Sequence, residues 1–160
     1  MWQFRTWDYN LTHLGKEIHM CMEGYCSAYV YWYLKRFYGM LGDSDQRSPA
    51  GEGEVTKNGY ILAHYAQYAT GMTRIGATSD NSSVMATAYT NEAGSEVTIV
   101  LLNLSTDTQS VEIPLSGATV KEAVETDADR DMVPAETGKT DTGIYVMANA
   151  NSIVSVRLAL

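Results

Sequence analysis

The residue in this chain with the most specific chemistry is Arg36, which stands among aromatic residues at the end of a long apolar run. The run Ala28–Leu34 holds only apolar and aromatic residues, and Lys35 and Arg36 follow it directly. Such an uninterrupted run is typical of a strand covered on both faces, as in parallel α/β layers and barrels. Ligands in these architectures bind at the carboxyl ends of the strands. A guanidinium between aromatic rings at that point suits a planar anion such as a sugar-acid carboxylate.

The same segment also fits a simpler interpretation. Two charges that follow an apolar strand can merely solvate the point where the strand leaves the core, because charged side chains usually meet water. The segment by itself leaves both interpretations open.

Other polar residues that could do chemistry favour structural roles. Four acids, Asp43, Asp45, Glu52 and Glu54, share one polar loop, and Glu17 and Glu23 belong to the first helical region. Solvation or ion pairing explains all six, so no catalytic residue is predicted. His13 and Glu17 are four residues apart and could share a helix face, but without a third ligand an ion pair is favoured over a metal site. His64 is predicted to be a core or boundary histidine. No metal and no cofactor are expected.

The elements that would position Arg36 follow from hydrophobic spacing. Leu11, Leu14, Ile18 and Met22 recur at helical intervals, with Asp8 or Asn10 as a candidate cap. After the strand comes a polar loop over 42–54. A second helix is predicted over Lys57–Ala69, ending before Gly71. Its expected inner face consists of Ile61, Leu62, Tyr65, Ala66 and Tyr68.

Beyond Gly71 the hydrophobic period becomes two, which predicts an antiparallel β-sandwich. About seven strands are expected, roughly at 72–78, 84–90, 96–104, 108–115, 118–126, 143–149 and 152–159. The run 97–104 is typical of a central strand, and the clusters 91–94 and 137–143 are predicted to be turns.

The helix–strand–helix part cannot be complete by itself. Its one strand has no neighbour, so its backbone edges would be open and its apolar faces wet. Either another chain supplies the neighbours, or the sequence is the carboxyl-terminal portion of a larger protein. We therefore predict that residues 1–70 are the incomplete end of a barrel and that residues 71–160 are a sandwich domain.

Composition excludes several classes of partner. The chain has 160 residues with a net charge of −8, which disfavours nucleic acid as a partner. No apolar run reaches the ~20 residues that span a bilayer, so no membrane is expected. Cys21 and Cys26 are too few for a disulfide framework, and buried free thiols are predicted.

Several blocks of the sequence carry a resemblance to a known family, in this order: Lys16–His19 with Met22, Ser27–Tyr33, Lys35–Arg36, Tyr38–Gly39, Gly53–Tyr60, Arg74–Thr78, Val84–Tyr89 and Val97–Asn103. They resemble the carboxyl-terminal part of glycoside hydrolase family 30, in particular its glucuronoxylanase-type members. The resemblance implies an α+β mixed fold, the last helix–strand–helix elements of a (β/α)8 barrel followed by an antiparallel β-sandwich side domain. It also implies a retaining mechanism whose two catalytic carboxylates lie upstream of this chain.

The same resemblance implies a substrate site. Arg36 matches the contact to a glucuronic acid carboxylate, Tyr38 matches the accompanying hydroxyl donor, and Trp32 and Tyr33 match the floor of the sugar subsite. Phe37 replaces a residue that is usually small and polar, and the loop from Met40 to Gly53 is longer than usual for the family. The expected partners are xylan, with or without glucuronic acid decoration, and the remainder of the barrel.

Two function classes remain open at this point. The chain is expected to be the end of an extracellular or periplasmic endo-xylanase that lacks the catalytic carboxylates and is inactive alone. The alternative is a non-catalytic carbohydrate-binding or structural β-sandwich module. Secretion is inferred only from the polymeric substrate.

Overall fold

The structure is a computed structural model that describes residues 6–160, so residues 1–5 of the predicted barrel part lie outside it. Its helical elements are α1 (Trp7–Asn10), a π-helical turn (Leu11–Gly15), α2 (Lys16–Glu23) and α3 (Lys57–Tyr68). The strands are β1 (Thr73–Ile75), β2 (Val84–Thr90), β3 (Glu96–Asn103), β4 (Gln109–Ile113), β5 (Thr119–Thr126), β6 (Val133–Pro134), β7 (Thr137–Lys139), β8 (Ile144–Ala148) and β9 (Ser152–Ala159). No helix in residues 6–160 is long and apolar enough to cross a membrane.

Two antiparallel sheets form the predicted sandwich. The larger has the order β1-β2-β3-β9-β5-β6, and the smaller has the order β4-β8-β7. One core lies between the two sheets and includes Ile99, Leu101, Ile144 and Val156. A second core lies between the helices and the other face of the larger sheet, and it includes Leu11, Ile18, Ile61 and Val100. The mixed α+β class with an antiparallel sandwich is confirmed.

The two cores explain why β3 and β9 are buried along nearly their whole length. These strands lie in the middle of the larger sheet, and both faces of that sheet are covered. The predicted central strand is therefore confirmed in β3.

Two short strands, β6 and β7, were not predicted. Pro134 lies in β6 at the edge of the sheet, where the missing amide costs no ladder hydrogen bond. β7 occupies the first residues of the predicted turn 137–143.

Buried polar groups cap helix α3 and join it to the larger sheet. At its start, the Thr56 side chain caps the helix by accepting a hydrogen bond from the Gly59 amide at 3.2 Å. Further along, His64 is fully buried and hydrogen-bonds to Ser155 at 2.8 Å and to Thr126 at 2.9 Å. The prediction of a core histidine is confirmed. Ala66, predicted on the inner face, is exposed.

The caps predicted for the first helix are wrong. Thr6 is the N-cap residue, and Asp8 and Asn10 both lie inside α1. The helical spacing of the apolar residues is confirmed, since Leu11 and Ile18 are fully buried. Trp7 extends this packing, and its indole donates a hydrogen bond to the Asn151 carbonyl at 2.6 Å.

The buried strand predicted over Ala28–Leu34 is wrong in this chain. These residues form no strand, and Val30, Trp32 and Leu34 are 90%, 63% and 67% exposed. The physical reason is the absence, within residues 6–160, of a strand that pairs with this segment. An apolar sequence pattern specifies burial only when a neighbouring element covers it.

Candidate substrate-binding site

The candidate site is built on a tight loop over residues 34–41. This loop joins the apolar run 28–34 to the chain that leads into α3. The Gly39 amide donates to the Arg36 carbonyl at 2.8 Å, and the Leu41 amide donates to the Leu34 carbonyl at 2.8 Å. The Arg36 amide in turn donates to the Leu41 carbonyl at 3.2 Å. These hydrogen bonds hold the backbone of Arg36 at the tip of the loop, where its side chain is exposed.

Gly39 is required by the close approach of backbone in this loop. A Cβ at this position would lie 2.7 Å from the Tyr33 carbonyl oxygen and 2.9 Å from the Arg36 nitrogen. Next to it, the Tyr38 carbonyl accepts hydrogen bonds from the Tyr31 hydroxyl and the Asn58 side chain, both at 3.1 Å. The Thr56 hydroxyl donates to the Gly39 carbonyl at 2.7 Å. The start of α3 therefore fixes the position of the loop.

The structure brings the four predicted site residues together. The Arg36 guanidinium carbon lies 5.3 Å from the centroid of the Tyr33 ring, within the range of a cation–π interaction. The Tyr33 ring lies 4.0 Å from the Trp32 ring and 6.4 Å from the Tyr38 ring. Trp32 and Tyr33 are exposed, whereas Tyr38 is buried. The cluster presents one exposed cation and two exposed aromatic side chains.

A cation–π contact between Arg47 and Phe37, close to the site, was not predicted from the sequence. The guanidinium of Arg47 lies 3.8 Å from the centroid of the buried Phe37 ring. Phe37 itself packs edge-on against Tyr38 at 4.7 Å. Arg47 belongs to the polar loop 42–54, which has no periodic pattern, so no sequence signal indicated this contact.

The polar loop is also attached to the site on the other side of Arg36. Lys35 forms an ion pair with Glu52 at 2.7 Å, while the Arg47 fork binds both oxygens of Asp45 at 2.8 and 2.6 Å. Both neighbours of Arg36 in the sequence, Lys35 and Phe37, therefore contact the loop.

The acids near the site are held in their charged form. The hydrogen bonds from Arg47 lower the pKa of Asp45, and Arg36 lowers it further through its charge. The hydrogen bond from Lys35 lowers the pKa of Glu52. A general acid in glycoside hydrolysis needs the opposite shift. Glu54 accepts a hydrogen bond from the Gly51 amide, and Glu17 accepts one from the Tyr29 hydroxyl.

The predicted His13–Glu17 ion pair is wrong. His13 stacks on Tyr9 with ring centroids 3.7 Å apart and hydrogen-bonds to the Tyr9 carbonyl at 2.9 Å, while Glu17 takes its hydrogen bond from Tyr29. Among residues 6–160, no group of three or more candidate ligands is arranged to hold a metal ion.

Comparison with known proteins assigns the fold to a family. Residues 71–156 match the model of the glycosyl hydrolase family 30 beta sandwich domain, which is more than half of the chain. The chain belongs to glycoside hydrolase family 30. The family 30 match covers the two sheets, so the resemblance read from the sequence blocks is confirmed.

Two proteins similar to this family 30 chain are named as xylanases. It is 35% identical over 95 residues to "Glucuronoxylanase XynC" of Bacillus subtilis strain 168, which covers 58% of this chain and 20% of the relative. The family 30 subfamily 8 xylanase Xyn30A from Clostridium acetobutylicum superposes with a TM-score of 0.80 at 23% identity, over 99% of this chain and 41% of that one.

A second solved structure is similar over the same extent. The family 30 endoxylanase from Clostridium papyrosolvens C71 has a TM-score of 0.78 and 25% identity, and the match covers 99% of this chain and 40% of that one. The present chain spans about a fifth of the length of the curated relatives that it matches.

Proposed function

We propose that this chain is the carboxyl-terminal portion of a secreted, retaining endo-xylanase that acts on glucuronoxylan. In this proposal, residues 1–70 complete a (β/α)8 catalytic barrel and residues 71–160 form its side domain. Membership of family 30 supports a glycoside hydrolase as the parent protein. The names of the relatives support xylan as the polymer and glucuronic acid as its decoration.

The observation that carries the proposal is the exposed Arg36 guanidinium beside the exposed side chains of Trp32 and Tyr33. Aromatic faces suit the apolar faces of sugar rings, and a guanidinium fork binds a carboxylate through two parallel hydrogen bonds. One cation beside exposed aromatic rings can therefore hold a neutral xylose backbone together with an acidic branch. Trp32 and Tyr33 would contact the sugar, Arg36 would contact the carboxylate, and Tyr38 would donate its hydroxyl to the branch.

The catalytic carboxylates are proposed to lie outside this chain. Retaining hydrolysis needs two carboxyl groups ~5–5.5 Å apart, one of them with a raised pKa. Asp45 and Glu52, which lie beside the site, each have a lowered pKa and a cationic partner of their own. The apolar side chains of Val30 and Leu34 face solvent, which supports the remainder of a barrel as their partner.

A second candidate function is a non-catalytic carbohydrate-binding or structural module. One observation favours it: the family match lies in the sandwich, residues 71–156, and not around Arg36. In that case the two sheets would either brace a barrel or hold polysaccharide, and the charged residues of the Arg36 cluster would only be solvated at the surface.

The test is to express this chain together with the coding sequence that precedes it and to compare it with the chain alone. We expect the longer protein to hydrolyse glucuronoxylan with retention of anomeric configuration, measured by proton NMR of the early products. The chain alone serves as the matched control. A longer protein that binds insoluble xylan without releasing reducing sugar would favour the second candidate.

A further inference from the structure

The backbone at the end of α2 brings Cys21 and Cys26 together. The Cys26 amide donates to the Cys21 carbonyl at 3.0 Å, and the Tyr25 amide donates to the Met22 carbonyl at 3.1 Å. Tyr25 lies between them with a φ of 57°, in the left-handed region. This pair of hydrogen bonds around a left-handed residue is a Schellman motif, which folds the chain back onto the last turn of its helix.

A Schellman motif sets the side chains of its two outer residues against each other, because the chain returns over the helix end. Here those two residues are Cys21 and Cys26. Both line the same shallow groove beside Lys16 and Met20. Burial raises the pKa of the Cys21 thiol, and the neighbouring Cys26 thiol raises it further. The two sulfur atoms are therefore neighbours on one surface.

The two thiols differ in accessibility. Cys26 is exposed, whereas Cys21 is half-buried, which corrects the prediction of two buried thiols. An exposed thiol is the one that an outside reagent reaches first, and the sheltered neighbour can then act on the product. This arrangement resembles an attacking and a resolving cysteine.

We propose that Cys21 and Cys26 are the site of an intrachain disulfide formed by exchange with a small-molecule disulfide such as oxidised glutathione. This inference is independent of the proposed xylanase function. The Cys26 thiolate attacks one glutathione sulfur, breaking the glutathione disulfide and releasing one reduced glutathione. The Cys21 thiolate then attacks the Cys26 sulfur and releases the second one. The two protein thiols lose two electrons and two protons, and one glutathione disulfide becomes two thiols.

The bond would fasten the chain where it leaves α2 towards the candidate site. Residues 27–32 begin directly after Cys26, and among them Val30 and Trp32 are the most exposed large apolar residues. Closing a short ring at the helix end limits the directions in which this segment can leave α2, both in the folded and in the unfolded chain. The disulfide would therefore reduce the motion of the segment that ends at Arg36.

The test uses the whole chain and measures peptide mass after incubation with oxidised glutathione. No lysine or arginine lies between Lys16 and Lys35, so trypsin releases both cysteines in one peptide, Glu17–Lys35. We expect this peptide to lose the mass of two hydrogen atoms and to resist alkylation. Prior reduction should restore both thiols to alkylation. This measurement on the unaltered chain needs no variant that could fail to fold.

Matched variants separate the two roles. Cys21→Ser should accumulate glutathione on Cys26, because no second thiol remains to release it, and Cys26→Ser should react more slowly because Cys21 is half-buried. The proposal is overturned if the unaltered chain retains glutathione on Cys26 as fully as Cys21→Ser does. It is equally overturned if oxidation yields only disulfide-linked dimers.

Discussion

The guanidinium of Arg47 stacks 3.8 Å above the ring of Phe37, the residue that directly follows Arg36. On the other side of Arg36, Lys35 binds Glu52 at 2.7 Å. The polar loop thus contacts the residues immediately before and immediately after Arg36, which is the candidate residue for binding a carboxylate. The buried Phe37 ring gives the polar loop 42–54 a surface on which to dock.

We expect Arg36→Ala, in the proposed parent enzyme, to lower activity on glucuronic-acid-decorated xylan much more than on undecorated xylo-oligosaccharides. A charge-assisted hydrogen-bond pair contributes roughly 1.5–3 kcal/mol. If the contact persists in the transition state, the loss of kcat/KM is about ten- to a hundredfold. Arg36→Lys should restore little, because an ammonium lacks the planar fork.

The control for this experiment is Lys139→Ala, which removes an exposed cation in the smaller sheet. It should leave both activities unchanged. Equal losses on the two substrates in Arg36→Ala would show that Arg36 is structural and that the glucuronate assignment is wrong.

The 160-residue chain alone is expected to release no reducing sugar from glucuronoxylan. Retaining hydrolysis requires a nucleophile and an acid/base pair of carboxyl groups. The acids beside the candidate site, Asp45 and Glu52, are engaged by Arg47 and Lys35. The measurement is a reducing-sugar assay on the purified chain. Activity that disappears when a residue of this chain is substituted would contradict the prediction.

Limited proteolysis with proteinase K should cut first in the loop 42–54 or before it, and not inside β3. Backbone hydrogen bonds close the base of the loop, from the Gly42 amide to Glu54 and from the Gly53 amide to Gly42. Its side chains contact the preceding segment through the exposed Lys35–Glu52 ion pair and the Arg47–Phe37 cation–π contact, and interactions of these kinds contribute at most about 1 kcal/mol each at exposed sites. In contrast, Val100, Leu101 and Leu102 in β3 are almost fully buried. Arg47→Ala should accelerate cleavage of the loop, as should Phe37→Leu, because each removes one half of the stack.

A loop-cleavage rate that stays the same in both variants would show that the stack does not hold the loop. Early cleavage between Val97 and Leu104 would contradict the assignment of β3 as the central strand.

Lowering the pH should destabilise the fold through His64. Burial lowers its pKa from 6.5 to about 3. The folded state therefore binds the proton more weakly than the unfolded chain does. The free energy of unfolding should fall as the pH drops below 6.5, and it should continue to fall until the pH reaches about 3. The slope from this one group is at most ~1.4 kcal/mol per pH unit.

His64→Gln tests this by urea denaturation at a series of pH values from about 7 to about 4. The variant should be less stable at neutral pH, because Ser155 and Thr126 lose a well-fitted partner, but its stability should depend less on pH. His19, whose pKa burial lowers to about 4, remains in both proteins and cancels in the comparison. Parallel pH profiles for the two proteins would refute the assignment.

Much of the sandwich was predictable from residue pattern. The period-two pattern beyond Gly71 predicted strands at 84–90 and 152–159, and β2 and β9 have these bounds because elements of this chain cover both faces of the larger sheet. The amphipathic spacing of Leu11 and Ile18 likewise predicted a helix face that the larger sheet covers. In these elements the covering partner lies within the same chain, so local pattern and final burial agree.

Tertiary structure alone decided the rest, for a common physical reason. The apolar run 28–34 matches the pattern of a buried strand, but burial depends on neighbours, and no strand of residues 6–160 pairs with it. The contact between Arg47 and Phe37, the ties from His64 to Ser155 and Thr126, and the pairing of β7 with β8 join residues with no periodic relation in the sequence. The sequence by itself determined which segments could form helices and strands, whereas the packing of distant segments decided which of them are covered and which side chains surround Arg36.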